Sequence, residues 1–263
     1  MLSRLLLVIG TCTLAVLAAA CGGDDDAGGP SGSARTSANS TAGGAAPTLG
    51  APASRFAISL DDLEKGYLTD RNATFVLDAK NYGGTKTFPS QSEGETLLNQ
   101  WGYAGGYETA FEPETRYQGV LNGAYYINVE VHLFKTADGA VKAFDYFENK
   151  LKTSPSQKVT ADALGNQSSA WKLISGKVPG SNIDAAFHRF IFRRGNLVAV
   201  VQTYGSDVFM KVDAVHQLAA IVDEKALGKR TPVEPTPVAA VPTSTPLPAQ
   251  PSGTPAASAT ASR

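Results

Sequence analysis

Every aromatic residue of this chain, 11 Phe, 9 Tyr and 2 Trp, falls between Phe56 and Phe209. Aromatic side chains supply much of the area that a folded core buries, so the 263 residues cannot all belong to one globule. The division that follows is a segment 1–20, a linker 21–54, a globular domain 55–230 and a tail 231–263. The linker is mostly Gly, Ala, Ser and Thr, with no aromatic residue, and is expected not to bury enough apolar surface to offset its ordering entropy. The tail holds eight of the fifteen prolines, with Thr-Pro pairs at Thr236-Pro237, Thr245-Pro246 and Thr254-Pro255, and reads as a disordered, extended segment.

Segment 1–20 has an address in it. Arg4 precedes sixteen uncharged residues, Leu5 to Ala20, and Cys21 follows a run of small residues, the layout of an export signal. A membrane span needs about 20 apolar residues, and the flank here is Gly22-Gly23-Asp24-Asp25-Asp26 rather than a cationic stop. Leu17-Ala18-Ala19-Ala20-Cys21 resembles the lipobox of bacterial lipoproteins, with Leu17 four residues before the cysteine rather than three. The resemblance implies cleavage before Cys21, a lipid on its sulfur and an exported protein anchored to the cell membrane. Ala18-Ala19-Ala20 also satisfies the rule for ordinary secretory cleavage at the same bond, which would leave Cys21 unmodified. The other cysteine is Cys12, inside the discarded segment, so the mature domain has no thiol for a disulfide, a nucleophile or a metal site.

Within the domain, Ala124 to Lys135 alternates as a strand: Tyr125, Ile127, Val129, Val131 and Leu133 share one face, and Tyr126, Asn128, Glu130, His132 and Phe134 the other. The first face is expected to be core. Thr136 then caps a helix whose Ala140, Phe144, Phe147 and Leu151 recur at helical spacing. Gly195-Asn196 between Phe187–Arg194 and Leu197–Tyr204 is a hairpin turn, with Phe190, Phe192, Leu197, Ala199 and Val201 expected inward. A terminal helix is expected over about Asp207–Ala226, capped by Ser206, and a shorter one after a capping box at Ser92. Further strands are expected at Ala73–Ala79, Tyr103–Phe111 and Ser169–Ile174. This order predicts an α+β fold: a mainly antiparallel sheet with helices packed on one face. The order over Ala124–Ala226 and the turn Arg193-Arg194-Gly195-Asn196 loosely resemble small exported lipoprotein modules, such as sensor-type domains of bacterial receptor kinases and the PsbP-like fold. That resemblance brings no catalytic residues with it.

No nucleophile elbow, zinc-protease helix, phosphate loop or dinucleotide fingerprint occurs, so no catalytic residue, cofactor or metal is assigned. Glu130 and His132, two apart on one strand face, read as solvated residues; the alternative is half a metal site or an acid–base pair. Arg189 and Arg193, beside Gln202 and Tyr204, have the geometry to grip a carboxylate or phosphate, or else pair with nearby acids. Tyr103, Tyr107, Tyr117, Tyr125, Tyr126 and Trp101 are enough to line a groove, or simply pack the sheet. The candidate ligand residues are therefore Tyr126, His132, Arg189, Arg193 and Tyr204. From 55 to 230 there are 20 basic and 20 acidic residues, which excludes a field that steers nucleic acid. The expected function is non-catalytic: an extracytoplasmic lipoprotein, tied to the membrane through Cys21, that binds a small molecule or an envelope protein. The alternatives are an envelope structural or assembly factor, and a hydrolase with a noncanonical site.

Overall fold

The long alternating segment forms the middle of the sheet, and the rest is arranged about it. The computed structural model describes residues 48–50, 52–115, 124–178 and 181–232. Segment 1–20, Cys21, most of the linker, Tyr117 and the tail beyond 232 lie outside the described residues. Two short strands, β1 (Tyr67–Thr69) and β2 (Phe75–Leu77), precede a one-turn helix α1 (Ala79–Gly83) and a longer one, α2 (Gln91–Gln100). Strands β3 (Tyr103–Pro113) and β4 (Ala124–Phe134) lead into helix α3 (Ala137–Lys152). Strands β5 (Gln157–Val159), β6 (Gln167–Lys177), β7 (Asp184–Arg194) and β8 (Leu197–Ser206) follow, and helix α4 (Val212–Ala226) ends the series.

All pairings are antiparallel, in the order β1-β3-β4-β8-β7-β6-β5, with β2 also on β3. The α+β class and the antiparallel sheet are as the sequence predicts. The placement of the helices is not, because they divide between the two faces of the sheet. On the first face Ile127, Val129, Val131 and Leu133 pack with Phe190, Phe192, Leu197, Ala199 and Val201 under Val215, Ala219, Val222 and Ala226 of α4. On the second, Phe134, Ile191, Val198, Val200 and Trp171 pack with α3, α2 and Tyr82 of α1. The reason is visible in β7 and β8, which carry apolar residues at odd and even positions alike, the pattern of strands covered on both sides.

Local signals mostly hold. Thr136 caps α3 by accepting the Gly139 N–H at 3.1 Å, and β7 and β8 pair directly across Gly195-Asn196, with Gly195 at φ 57°. Two helix starts move. The cap of α2 is Ser90, whose hydroxyl accepts the Glu93 N–H at 3.2 Å, two residues before the expected Ser92. Helix α4 starts at Val212 without a side-chain cap. Ser206 instead ends β8 in a turn, its carbonyl accepting the N–H groups of Phe209 at 3.1 Å and Met210 at 2.8 Å.

Packing also begins ahead of Arg55. Ala53, Phe56, Ala57 and Ile58 are buried against the first-face core, and Leu49 packs on it. Leu49 is held by the hairpin residue Asn196, whose Oδ1 accepts the Leu49 N–H at 2.7 Å and whose Nδ2 donates to Leu49 O at 2.9 Å and Phe134 O at 2.7 Å. At the far end of α4 the fully buried Lys225 donates to Ala57 O at 2.7 Å and to Asp62 Oδ2 at 2.5 Å. The first residues of the fold are thus closed onto its last helix. Among the described residues no helix is long and apolar enough to cross a membrane.

Candidate functional site

The candidate residues lie on the second face, where alternation along three neighbouring strands brings polar side chains into rows. Register sets Tyr126 opposite Tyr204, Asn128 opposite Gln202 and Glu130 opposite Val200 between β4 and β8. On the other flank of β8, Gln202 faces Arg189 and Tyr204 faces Phe187. Tyr126, Asn128, Arg189, Gln202, Tyr204 and Phe187 therefore adjoin one another, all of them half-buried. Arg189 donates from Nε to Gln202 Oε1 at 3.0 Å and from Nη2 to the same oxygen. Asn128 Nδ2 donates to Glu108 Oε1 at 2.7 Å, Tyr126 OH donates to Asp70 Oδ2 at 3.4 Å, and the Phe187 and Tyr204 rings lie 4.4 Å apart.

His132 is elsewhere. Its side chain is 0% exposed, packed 4.4 Å from the Tyr82 ring and 5.7 Å from Phe147. The expectation of a solvated histidine is thereby corrected. Helices α1 and α3 cover this end of β4, and the sequence pattern of that face could not show it because the polar groups satisfy each other internally. Glu130 Oε2 accepts the Tyr82 hydroxyl at 3.0 Å and lies 3.2 Å from His132 Nε2, while Tyr103 OH lies 3.1 Å from Nδ1. Assigned from this network, Nε2 carries the proton facing the carboxylate and Nδ1 accepts from Tyr103. Both imidazole nitrogens are then used, so His132 reaches no substrate directly. Among the described residues no three His, Cys, Asp or Glu side chains are grouped to hold a metal ion.

Arg193 is also apart from the row. It lies four residues beyond Arg189 on β7, about 13 Å at strand rise, with Nε donating to Gln167 Oε1 at 2.7 Å and Nη1 to Gly195 O at 3.0 Å. Of the five residues expected to gather, the structure brings together Tyr126, Arg189 and Tyr204, and separates His132 and Arg193.

Charge defines what the row can hold. Burial pushes the Glu130 carboxyl up, but the His132 hydrogen bond, the Arg189 charge and the Tyr82 hydroxyl outweigh it and hold the group below the ordinary carboxylate range. Glu108 goes the other way: burial and then the Glu130 charge raise it, against the Asn128 hydrogen bond. Burial, then Asp70 and Glu108, push the Tyr126 phenol up. The Arg189 charge acts on Glu130 and its guanidinium is bonded to Gln202, so part of its charge and two of its donors are already engaged. What the row offers is a set of polar edges and ring faces: the amides of Asn128 and Gln202, the Arg189 guanidinium, and the rings of Tyr126, Tyr204 and Phe187. Asn128, Gln202 and Glu108 are not among the site residues read from sequence; the spacing of Asn128 with Tyr126 and of Gln202 with Tyr204 is the available signal, whereas Glu108 arrives from β3 through pairing with β4.

No family model matches the chain, and no curated protein sequence does. Among solved structures the chain is similar to the extracellular domain of PknH from Mycobacterium tuberculosis, with 17% sequence identity and a TM-score of 0.33, over 62% of this chain and 82% of that one.

Proposed function

We propose that this chain is an exported envelope protein, held at the membrane by lipid on Cys21, whose α+β domain binds a neutral polar ligand without transforming it. The carrying observation is the half-buried row on β4, β8 and β7, in which two amides, one guanidinium bonded to Gln202 and two tyrosines face the same way. Amides and aromatic faces together suit hydroxyl-rich, uncharged molecules, the chemistry of envelope glycans. The His132 network supports binding over turnover, because its imidazole is consumed by Tyr103 and Glu130.

Two experiments test the two halves of this reading. Cys21→Ser in the native host is expected to move the protein from the membrane fraction to the medium or to block its processing; unchanged membrane attachment refutes the anchor. Titration of neutral envelope oligosaccharides into the protein from Gly22 to Arg263 is expected to show saturable binding that weakens about tenfold in Asn128→Ala/Gln202→Ala. Absence of binding across a broad glycan panel refutes the ligand class, and turnover that is lost in Glu130→Gln refutes the non-catalytic reading.

A second reading, an assembly factor, is favoured by one observation. The edge formed by β1 and β2 exposes Leu68, Phe75 and Val76, the last at 76%, and an apolar strand edge is a template for pairing with another chain. Val76→Lys would then abolish co-purification with an envelope partner while leaving glycan binding intact.

A further inference from the structure

The Arg189 row is an open ledge with a direction. On the second face the packed core reaches Val200 and Ile191, which are buried. The next same-face residues away from the hairpin turn, Asn128, Gln202 and Arg189, are only half-buried, and so are Tyr126, Tyr204 and Phe187 beyond them. Two parallel lines result, each crossing the strands. Asn128, Gln202 and Arg189 make a polar line, and Tyr126, Tyr204 and Phe187 make a ring line about 7 Å further along the strands. Strand β6 extends the ring line by one position, since Leu173 faces Phe187 and is itself half-buried, whereas Trp171, which faces Arg189, is buried. None of these residues lines the cavity beside β5 or the one between residues 62–67 and α4.

A small molecule is ordinarily held in a concave pocket that buries most of its surface. An open line of half-buried groups gains contact area only from a ligand long enough to touch several of them at once. The four positions of the ring line stand on β4, β8, β7 and β6, about 5 Å apart, which is also about the advance of one sugar unit along an extended oligosaccharide. Charge narrows the class further. The carboxylates of Asp70, Glu108 and Glu112 act on the Tyr126 end, so a chain with an acidic group on every unit would set one beside them, whatever Arg189 accepts two strands away. The ledge is also clear of the points where the described chain enters and leaves the sheet. Leu49 is bonded to Asn196, and Asp223 near the end of α4 to Arg194, both at the hairpin turn; Tyr204 stands seven residues along β8 from Leu197, about 23 Å at strand rise.

We propose that the row takes a linear, neutral oligosaccharide in extended form, lying across β4, β8, β7 and β6 with about four sugar units along the ring line and their hydroxyls on the amides and guanidinium of the polar line. The inference rests on the reading of this row as a glycan site, and goes beyond it in making the ligand a segment of a chain with a fixed direction and length. Tyr126 and Asn128 serve one terminal unit, Tyr204 and Gln202 the next, Phe187 and Arg189 the third, and Leu173 the last.

The test is a chain-length series on the protein from Gly22 to Arg263, which contains every residue of both cores, read by titration calorimetry. The probes are neutral oligomers of one to six units built of β-linked N-acetylglucosamine, α-linked mannose or α-linked glucose. In the series that binds, affinity is expected to rise about fivefold per added unit, the worth of one neutral hydrogen bond, and to level off at about four units. Variants at either end should shorten the footprint. Asn128→Ala on β4 and Phe187→Ala on β7 are each expected to lower tetramer affinity about fivefold and dimer affinity less than about twofold, because a dimer still finds two intact positions. Should Phe187→Ala not fold, Asn128→Ala decides alone. A monomer that binds as tightly as the tetramer, affinity still climbing at six units, or variants that weaken every length alike overturn the proposal while the glycan reading stands. No binding by any oligomer, in these series or in the wider glycan panel, removes both.

Discussion

Lys225→Met is expected to cost about 3–5 kcal/mol at pH 7, the usual result of removing one partner of a buried ion pair. The magnitude follows from what the ammonium does. It is fully buried, and it donates to Ala57 O and to Asp62, whose side chain is 5% exposed. The substitution keeps the length of the stem but strands a carboxylate whose other strong cation, Arg230, is 41% exposed and 3.1 Å away. It also frees residues 53–62 from α4. For a domain of this size about 2–4 °C of Tm accompanies each kcal/mol, so a fall of roughly 6–20 °C is expected. The pH dependence carries the sign. In the native protein burial pushes Asp62 up, but Lys225 and Ser59 more than offset it and the carboxyl is held below its ordinary value. Its stabilisation is therefore present above pH 3.8 and lost as pH falls through the folded value. Without Lys225 burial prevails, the folded value rises, and protonation relieves the variant, so the deficit must shrink from pH 7 towards pH 3.5. Urea titrations at both pH values measure it as a change in midpoint at constant slope. A deficit under about 1 kcal/mol, which is surface-pair size, or one that grows on acidification, refutes the reasoning.

Asn196→Ala removes a buried side chain that makes three hydrogen bonds, to both backbone groups of Leu49 and to Phe134 O. It should cost about 2–4 kcal/mol, and hydrogen exchange should show the amides near residue 49 losing protection. Glu108→Gln keeps an acceptor for Asn128 while removing a carboxylate whose folded pKa is raised by burial and Glu130. Such a group contributes stability below pH 4.5 that is lost as pH rises through its folded value, so the variant should melt higher than the native protein at pH 7 and not at pH 4; equal gains at both pH values would exclude this origin.

Elements with a local signature were legible. The alternation of Ala124 to Lys135, the Gly195-Asn196 turn and the Thr136 cap each depend on residues within a few positions of one another, and β4, the β7–β8 hairpin and α3 appear where those signals stand. The failures share a cause. Ser206 has a cap's side chain but its carbonyl is used in a turn, and Ser90 competes with Ser92 for α2, choices made by how the chain enters the helix rather than by residue type. His132 on a mixed polar face reads as solvated, yet Tyr82, distant in sequence, supplies both its cover and a hydroxyl for its partner Glu130. The candidate site was half legible for the same reason. Period two placed Tyr126 with Asn128, and pairing across the hairpin turn placed Arg189 and Arg193 with Gln202 and Tyr204, but only the register of β4 against β8 joined the two sets into one row, and only distance along β7 removed Arg193 from it.

By itself the sequence determined where most of the core is possible, because aromatic residues, which supply much of the buried area, are confined to one stretch. It also determined the α+β class, since hydrophobic period and turn chemistry are local properties of the backbone. Tertiary structure decided that β7 and β8 are covered on both faces, that Lys225 reaches back to Ala57 and Asp62, and that the second-face core stops short of the Arg189 row. Burial, ion pairing and enclosure depend on which distant segments meet, and no window along the chain contains both partners.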